Sequence, residues 1–148
     1  MIGLGCDSAG FALMQDVKAH LDNRGITYKD FGAYNAESSD YPLFAKKAST
    51  AILSGECSRA ILICGTGNGI SMAANRFGGI RCALCHDVYS AKVSRSHNDA
   101  NMLAMGGRVI GKELALEIVD AWLATDFSGE ERHVRRIMQF DKPTKTTT

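Results

Sequence analysis

Apolar positions along this chain follow two alternating patterns: short unbroken runs, and longer stretches with a helical period. The runs are IGLGC (2–6), AILIC (60–64), IRCALCH (80–86) and NMLAMGG (101–107), joined by the more polar TYKDFG (27–32). Unbroken apolar runs of this length suit strands covered on both faces. Between them, FALMQDVKAHLDNRG sets Phe11, Met14, Val17 and Leu21 at helical spacing and stops at Gly25. Asp40 and Pro42 open a second helix that runs through Ala45, Ala48 and Ile52 to Gly55. A third helix is expected over 70–77, and a fourth, capped by Asp87, to about Ser96. A fifth, over 112–124, carries Leu114, Ile118, Ala121 and Trp122 on one stripe. Ser128 and Glu131 suggest a capping box for a last helix, HVRRIMQF, with Val134, Ile137 and Met138 as its anchoring face.

Apolar strands alternating with helices predict an α/β fold, a three-layer α/β/α arrangement around a five-stranded parallel Rossmann-like sheet. Ligands in such sheets sit beyond the carboxyl ends of the strands, where the strand order reverses. With the first and third strands as neighbours, in a 2-1-3 order, Asp7 and Cys64 would share that crevice.

The 148 residues suit a single domain, taken as 1–142, with a polar tail, 143–148, expected to be disordered. With 45% hydrophobic residues, 22% charged and a net charge of +1, nothing points to nucleic acid or a membrane surface as partner. MIGLGCDSAG has no basic leader and reads as a buried strand, no run approaches the ~18 apolar residues of a spanning helix, and the cytoplasm is the expected compartment. Five cysteines are an odd number, which argues against a disulfide framework. Cys82 and Cys85 form a CxxC pair, but on a strand they point to opposite faces. There is neither the helix N-terminus a redox pair wants nor the second ligand pair zinc wants, so both are expected to be structural.

The chemistry concentrates in CGTGNGISMAANR (64–76). It lacks the lysine of an NTP-binding loop, and Ile70 stands where a dinucleotide fingerprint needs its last glycine, although Asp87 lies at the spacing of the ribose-binding acid. A tight strand-to-helix turn is the plain alternative. Cys64 changes the balance. A thiol at a strand end facing a helix start meets exposed N–H donors that favour the thiolate. The same donors can hold an oxyanion beside it, which suits proton abstraction next to a carbonyl. His97 and Asn98 in SRSHNDANM are a polar loop or a catalytic one. Arg132 and Arg136, four apart on one helix, are a solvated basic face or a clamp for a phosphate dianion, with Arg108 as a third candidate cation. Asp7 is a functional acid or a helix cap.

GCDSAGF (5–11), SDYP (39–42), ILICGTGNGISMAANR (61–76), YSAKVSRSHNDANMLAMGGRVIG (89–111) and RHVRR (132–136) together resemble ribose-5-phosphate isomerase B and its galactose-6-phosphate and allose-6-phosphate relatives. The resemblance spans nearly the whole chain. It implies an aldose–ketose isomerase working through a cis-enediolate, without metal or other cofactor. Cys64 would be the base, with Thr66 moving protons between the substrate oxygens and His97 and Asp7 opening the furanose ring. Gly65, Gly67, Asn68 and Gly69 would surround the enediolate. Asn98 would bind sugar oxygens, and Tyr41 and Ser8 would line the substrate site. Arg132 and Arg136 would hold the phosphate, with Arg108 assisting. It also implies a homodimer or dimer of dimers with the site at the interface, the 97–108 segment coming from the partner and the last helix reaching toward it. A six-carbon aldose 6-phosphate is the alternative substrate, and a non-catalytic phosphosugar-binding module the alternative class. One position departs from the pattern: the family usually reads DHAG where this chain reads DSAG. Ser8 can donate a hydrogen bond but carries no charge near neutral pH.

Overall fold

The computed structural model describes residues 1–141; the expectation of a disordered tail over 143–148 lies outside the described residues. Five strands, β1 (Ile2–Cys6), β2 (Tyr28–Asp30), β3 (Arg59–Cys64), β4 (Cys82–Leu84) and β5 (Met102–Gly106), form one sheet in the order β2-β1-β3-β5-β4. Every pairing is parallel, so all carboxyl ends lie along one edge. The helices are α1 (Phe11–Asn23), α2 (Tyr41–Leu53), α3 (Asn68–Ala74), α4 (Val88–Ser96), α5 (Lys112–Ala124) and α6 (Glu131–Phe140). The expected 2-1-3 order is present, and the reversal falls between β1 and β3, the strands that end beside Asp7 and Cys64.

The period-two alternation of β3 divides the core. Ile61 and Ile63 face α1 and α5, packing with Met14, Val17, Leu21, Ile118 and Trp122. Ala60, Leu62 and Cys64 face α2 and α3, packing with Ala45, Ala48, Ile70 and Ala74. The catalytic candidate therefore sits on the α3 side of the sheet because of its parity on the strand. The same rule separates the CxxC pair: Cys82 packs with the α2–α3 cluster and Cys85 with the α1–α5 cluster.

Two elements are shorter than the apolar runs suggested, β2 and β4 at the sheet edges. The outer edge of β4 is met by a side chain instead of a strand. Asn75 Nδ2 donates to the Cys82 carbonyl at 2.9 Å and Asn75 Oδ1 accepts the Cys82 N–H at 2.8 Å, which blunts an otherwise open edge. The α5 stripe is Ala115, Ile118, Val119 and Trp122; Leu114 is exposed and Ala121 half-buried. Arg59 and Arg95 both stack on Trp122, each 5.7 Å from the ring centroid, and their guanidinium groups donate to the Leu123 and Thr125 carbonyls.

The last helix departs most from expectation. Its cap is Glu130, and the Ser128 hydroxyl accepts the Glu130 N–H and meets His133 instead of closing a box with Glu131. Val134 and Met138 are exposed and Ile137 is half-buried; His133 alone in this helix is buried. The predicted anchoring face is apolar, but nothing among the described residues covers it.

Candidate active site

At the carboxyl edge, β3 ends in Cys64 and the chain turns sharply. The turn needs φ of +81° at Gly67, and a Cβ there would lie 2.4 Å from Leu84 Cδ1, so glycine is required twice over. The turn brings the Gly67 N–H to 3.1 Å from Cys64 Sγ, a backbone donor aimed at the sulfur. Gly107 and Arg108 donate to the Cys64 and Gly65 carbonyls at 2.8 and 3.0 Å, fastening the loop to the end of β5. Thr66 is exposed, and its Oγ1 accepts the Asn68 N–H at 3.2 Å, leaving the hydroxyl proton free to point outward. Asn68 is also exposed. The Tyr41 ring lies over Gly69, so close that a Cβ there would be 2.5 Å from Tyr41 Cζ.

Across the strand-order reversal, Asp7 is buried with one carboxylate oxygen 3.0 Å from the Gly10 N–H that leads into α1. The Ser8 N–H donates to Ser39 Oγ at 3.1 Å, which ties the SDYP segment, and with it Tyr41, to the end of β1. Arg108 packs its side chain against Gly65, with Nη1 3.4 Å from where a Cβ would stand. Asp7, Ser8, Tyr41, Cys64, Gly65, Thr66, Gly67, Asn68, Gly69 and Arg108 thus form one group at the carboxyl edge.

The remaining candidates lie at the other edge. α4 runs back down the sheet and ends at His97, so His97 and Asn98 are exposed just before β5 begins. From Met102 to Gly106 the strand climbs roughly 13 Å at about 3.3 Å per residue, and only there does Gly106 pair with Cys64. Arg132 and Arg136 lie on α6 along the same lower edge, where His133 stacks on His97. Arg132 Nε pairs with Glu130 at 3.1 Å, while among the described residues Arg136 has no ion-pair partner. The 97–108 segment is therefore divided. Its start is at the lower edge, and its end, Arg108, stands beside the chain's own Cys64 loop. A cavity of about 490 Å³ opens at the lower edge, lined by Asn75, Phe77, Arg81, Asn98, Phe140 and Asp141.

Of the three histidines that the sequence pattern does not single out, His86 and His133 have defined partners near the candidate residues. His86 Nε2 accepts the Gly106 N–H at 3.0 Å, extending the β4–β5 ladder by one side chain. His133 is buried inside a helix whose neighbours are mostly charged, where periodicity carries no signal for it. Burial pushes the Cys6 and Cys85 thiols up to about 11 and that of Cys82 higher still, so these three are protonated and unreactive at neutral pH.

The sequence profile described as Ribose/Galactose Isomerase matches residues 2–140. The chain is 50% identical over 136 residues to ribose-5-phosphate isomerase B of Escherichia coli, covering 92% of this chain and 91% of that one. It is 44% identical over 130 residues to a D-erythrulose-4-phosphate isomerase of Pectobacterium atrosepticum, covering 86% and 85%. Among solved structures, ribose-5-phosphate isomerase B of Clostridium thermocellum superposes with a TM-score of 0.91 at 51% identity, covering 93% of both chains.

Proposed function

On the premise that this chain belongs to the Ribose/Galactose Isomerase family and is a sugar-phosphate isomerase, we propose that it interconverts D-ribose 5-phosphate and D-ribulose 5-phosphate with Cys64 as the base. The observation that carries the reading is the Gly67 N–H aimed at Cys64 Sγ where β3 turns into α3. In this reading the furanose opens first: His97 protonates the ring oxygen as the C1–O4 bond breaks, and Asp7 takes the O1 proton. The Cys64 thiolate then removes the C2 proton, and the electron pair forms the C1–C2 double bond of a cis-enediolate. Its oxyanion lies against the loop N–H groups from Gly65 to Gly69. Thr66 passes a proton between O1 and O2, and Cys64 returns its proton to C1.

The distribution of candidates over two edges supports a site completed by a second copy of the chain. One copy supplies Cys64, Thr66, Asp7 and the loop, and the other supplies His97, Asn98, Arg132 and Arg136. Two guanidinium groups four residues apart on one helix match a phosphate dianion in charge, and Arg136, which has no ion-pair partner among the described residues, is the better placed to bind one. Arg108 belongs to the copy that holds the thiol.

The 44% identity to an isomerase of a four-carbon sugar phosphate makes chain length of the substrate the open choice, together with six-carbon aldose 6-phosphates. Isomerisation assays over four-, five- and six-carbon aldose phosphates test it, with the highest kcat/KM expected for D-ribose 5-phosphate. A higher value for another sugar moves the assignment to that sugar. Cys64→Ala is expected to lower kcat at least ~10²-fold, the scale of general-base catalysis. Near-normal turnover in that variant eliminates the cysteine base.

A further inference from the structure

The end of α4 and the start of α6 bring two imidazoles face to face. The ring centroids of His97 and His133 are 4.4 Å apart and the planes are 26° from parallel. Their settings differ, since His97 is exposed and His133 is only 4% exposed. His133 Nδ1 is 2.8 Å from Ser128 Oγ. That oxygen accepts the Glu130 N–H at 3.2 Å, and its own proton can be donated to Nδ1, the arrangement in which the neutral ring carries its proton on Nε2.

The charged groups facing His133 are His97 from α4, Glu130 in the turn, and Arg132 and Arg136 on its own helix. Burial lowers the proton affinity of His133 below that of an ordinary imidazole. His97 and the two arginines push the same way, against Glu130. A neutral ring offers its face to a protonated neighbour favourably, whereas two charged rings in this stack would repel. The Ser128 N–H donates to the Ser96 carbonyl at 3.1 Å, which ties the turn before α6 to the end of α4, and Arg95 adds a bond from α4 to the Thr125 carbonyl.

We propose that His133 is a positioning residue for His97: a neutral ring, fixed in one tautomer by Ser128, that sets the plane of the ring-opening histidine and leaves it as the member of the pair that gains and loses the proton. The proposal rests on the reading of His97 as the ring-opening group.

Ring-nitrogen NMR of the substrate-free, ¹⁵N-histidine-labelled chain across the imidazole titration range tests the pair without catalysis. His133 should take up its proton at lower pH than an ordinary imidazole, and its neutral ring should carry the proton on Nε2. Protonation of His133 at or above the ordinary imidazole range, or an Nδ1–H tautomer, overturns the proposal. Ser128→Ala should raise the pH at which His133 is protonated and release the Nε2–H tautomer; an unchanged His133 signal in that variant overturns it.

Two activities separate ring opening from proton transfer. D-ribose 5-phosphate must open, whereas D-ribulose 5-phosphate, with O5 phosphorylated, has no furanose form and exchanges its C1 hydrogen with solvent directly. His133→Ala should cut kcat on the aldose about tenfold or more with KM little changed while leaving exchange into the ketose near normal. His133→Phe, which keeps a ring face, should recover most of the loss. Equal loss in both activities, or no recovery with phenylalanine, overturns the proposal. His97→Asn run alongside identifies the other failure: if it slows both activities equally, the ring-opening reading falls while the NMR result on the pair stands.

Discussion

Gly67 shows how much of this site depends on a missing side chain. Its positive φ turns the loop back, and its lack of a Cβ lets Leu84 and the Met105 backbone close beneath it. Gly67→Ala should destabilise the fold by roughly 1–3 kcal/mol in urea denaturation, the usual cost of a strained backbone position. It should also lower kcat, because the N–H that meets Cys64 Sγ belongs to the residue that must move. Cys64 itself was legible from sequence: a thiol ending an apolar run before a glycine-rich turn announces its setting within a few residues. The pairing of His97 with His133 was not, because it depends on how two distant helices end against each other. Ser8 lies between these cases. Its departure from the family pattern is visible in sequence, but its N–H bond to Ser39, which links β1 to the SDYP segment, is a fact of the fold.

Among the elements, α6 is held by its ends. At the start His133 is buried against His97, and beyond the end Asp141 accepts the Gly79 N–H at 3.1 Å and pairs with Arg81. Between these anchors Val134 and Met138 stay exposed, and so does Phe140. Asp141→Ala removes the acceptor of one backbone donor and the partner of a half-buried guanidinium, and is expected to cost about 1–3 kcal/mol. The loss should appear in urea denaturation and as faster hydrogen exchange in α6 than in α5. The apolar pattern of α6 was legible, yet what covers it was not, since periodicity names a face and not its neighbour. For the strands the inference worked because both faces of this sheet are covered within one chain, so burial itself produces the unbroken apolar run. At the edges, where Asn75 replaces a neighbouring strand for β4, the ordered ladder is shorter than the run.

For the whole molecule, the strand-order reversal between β1 and β3 places Asp7 beside the Cys64 loop, as the predicted topology required. The parallel sheet also keeps His97 and the arginines of α6 away from it. Mixing Cys64→Ala with His97→Asn chains tests the two-copy site. A mixed dimer holds one site with both native residues, so a re-equilibrated equimolar mixture should reach about a quarter of wild-type activity, by the counting a two-fold symmetric interface imposes. Activity no greater than that of the separate variants would count against a site shared between copies.

Under that arrangement the one-way run of the strands has a consequence for how the enzyme behaves in bulk. A sheet whose ends are chemically unlike makes each polypeptide a donor of half a site at one pole and an acceptor at the other. Specific activity should then fall on dilution below the dissociation constant of the pair, while a defect confined to the thiol end of one copy should cost only that copy's own site, because the sound thiol is still completed by the defective chain's arginine end. A change at the thiol end is then felt together with the arginine end of the other copy, although no contact among the described residues of one chain joins the two ends.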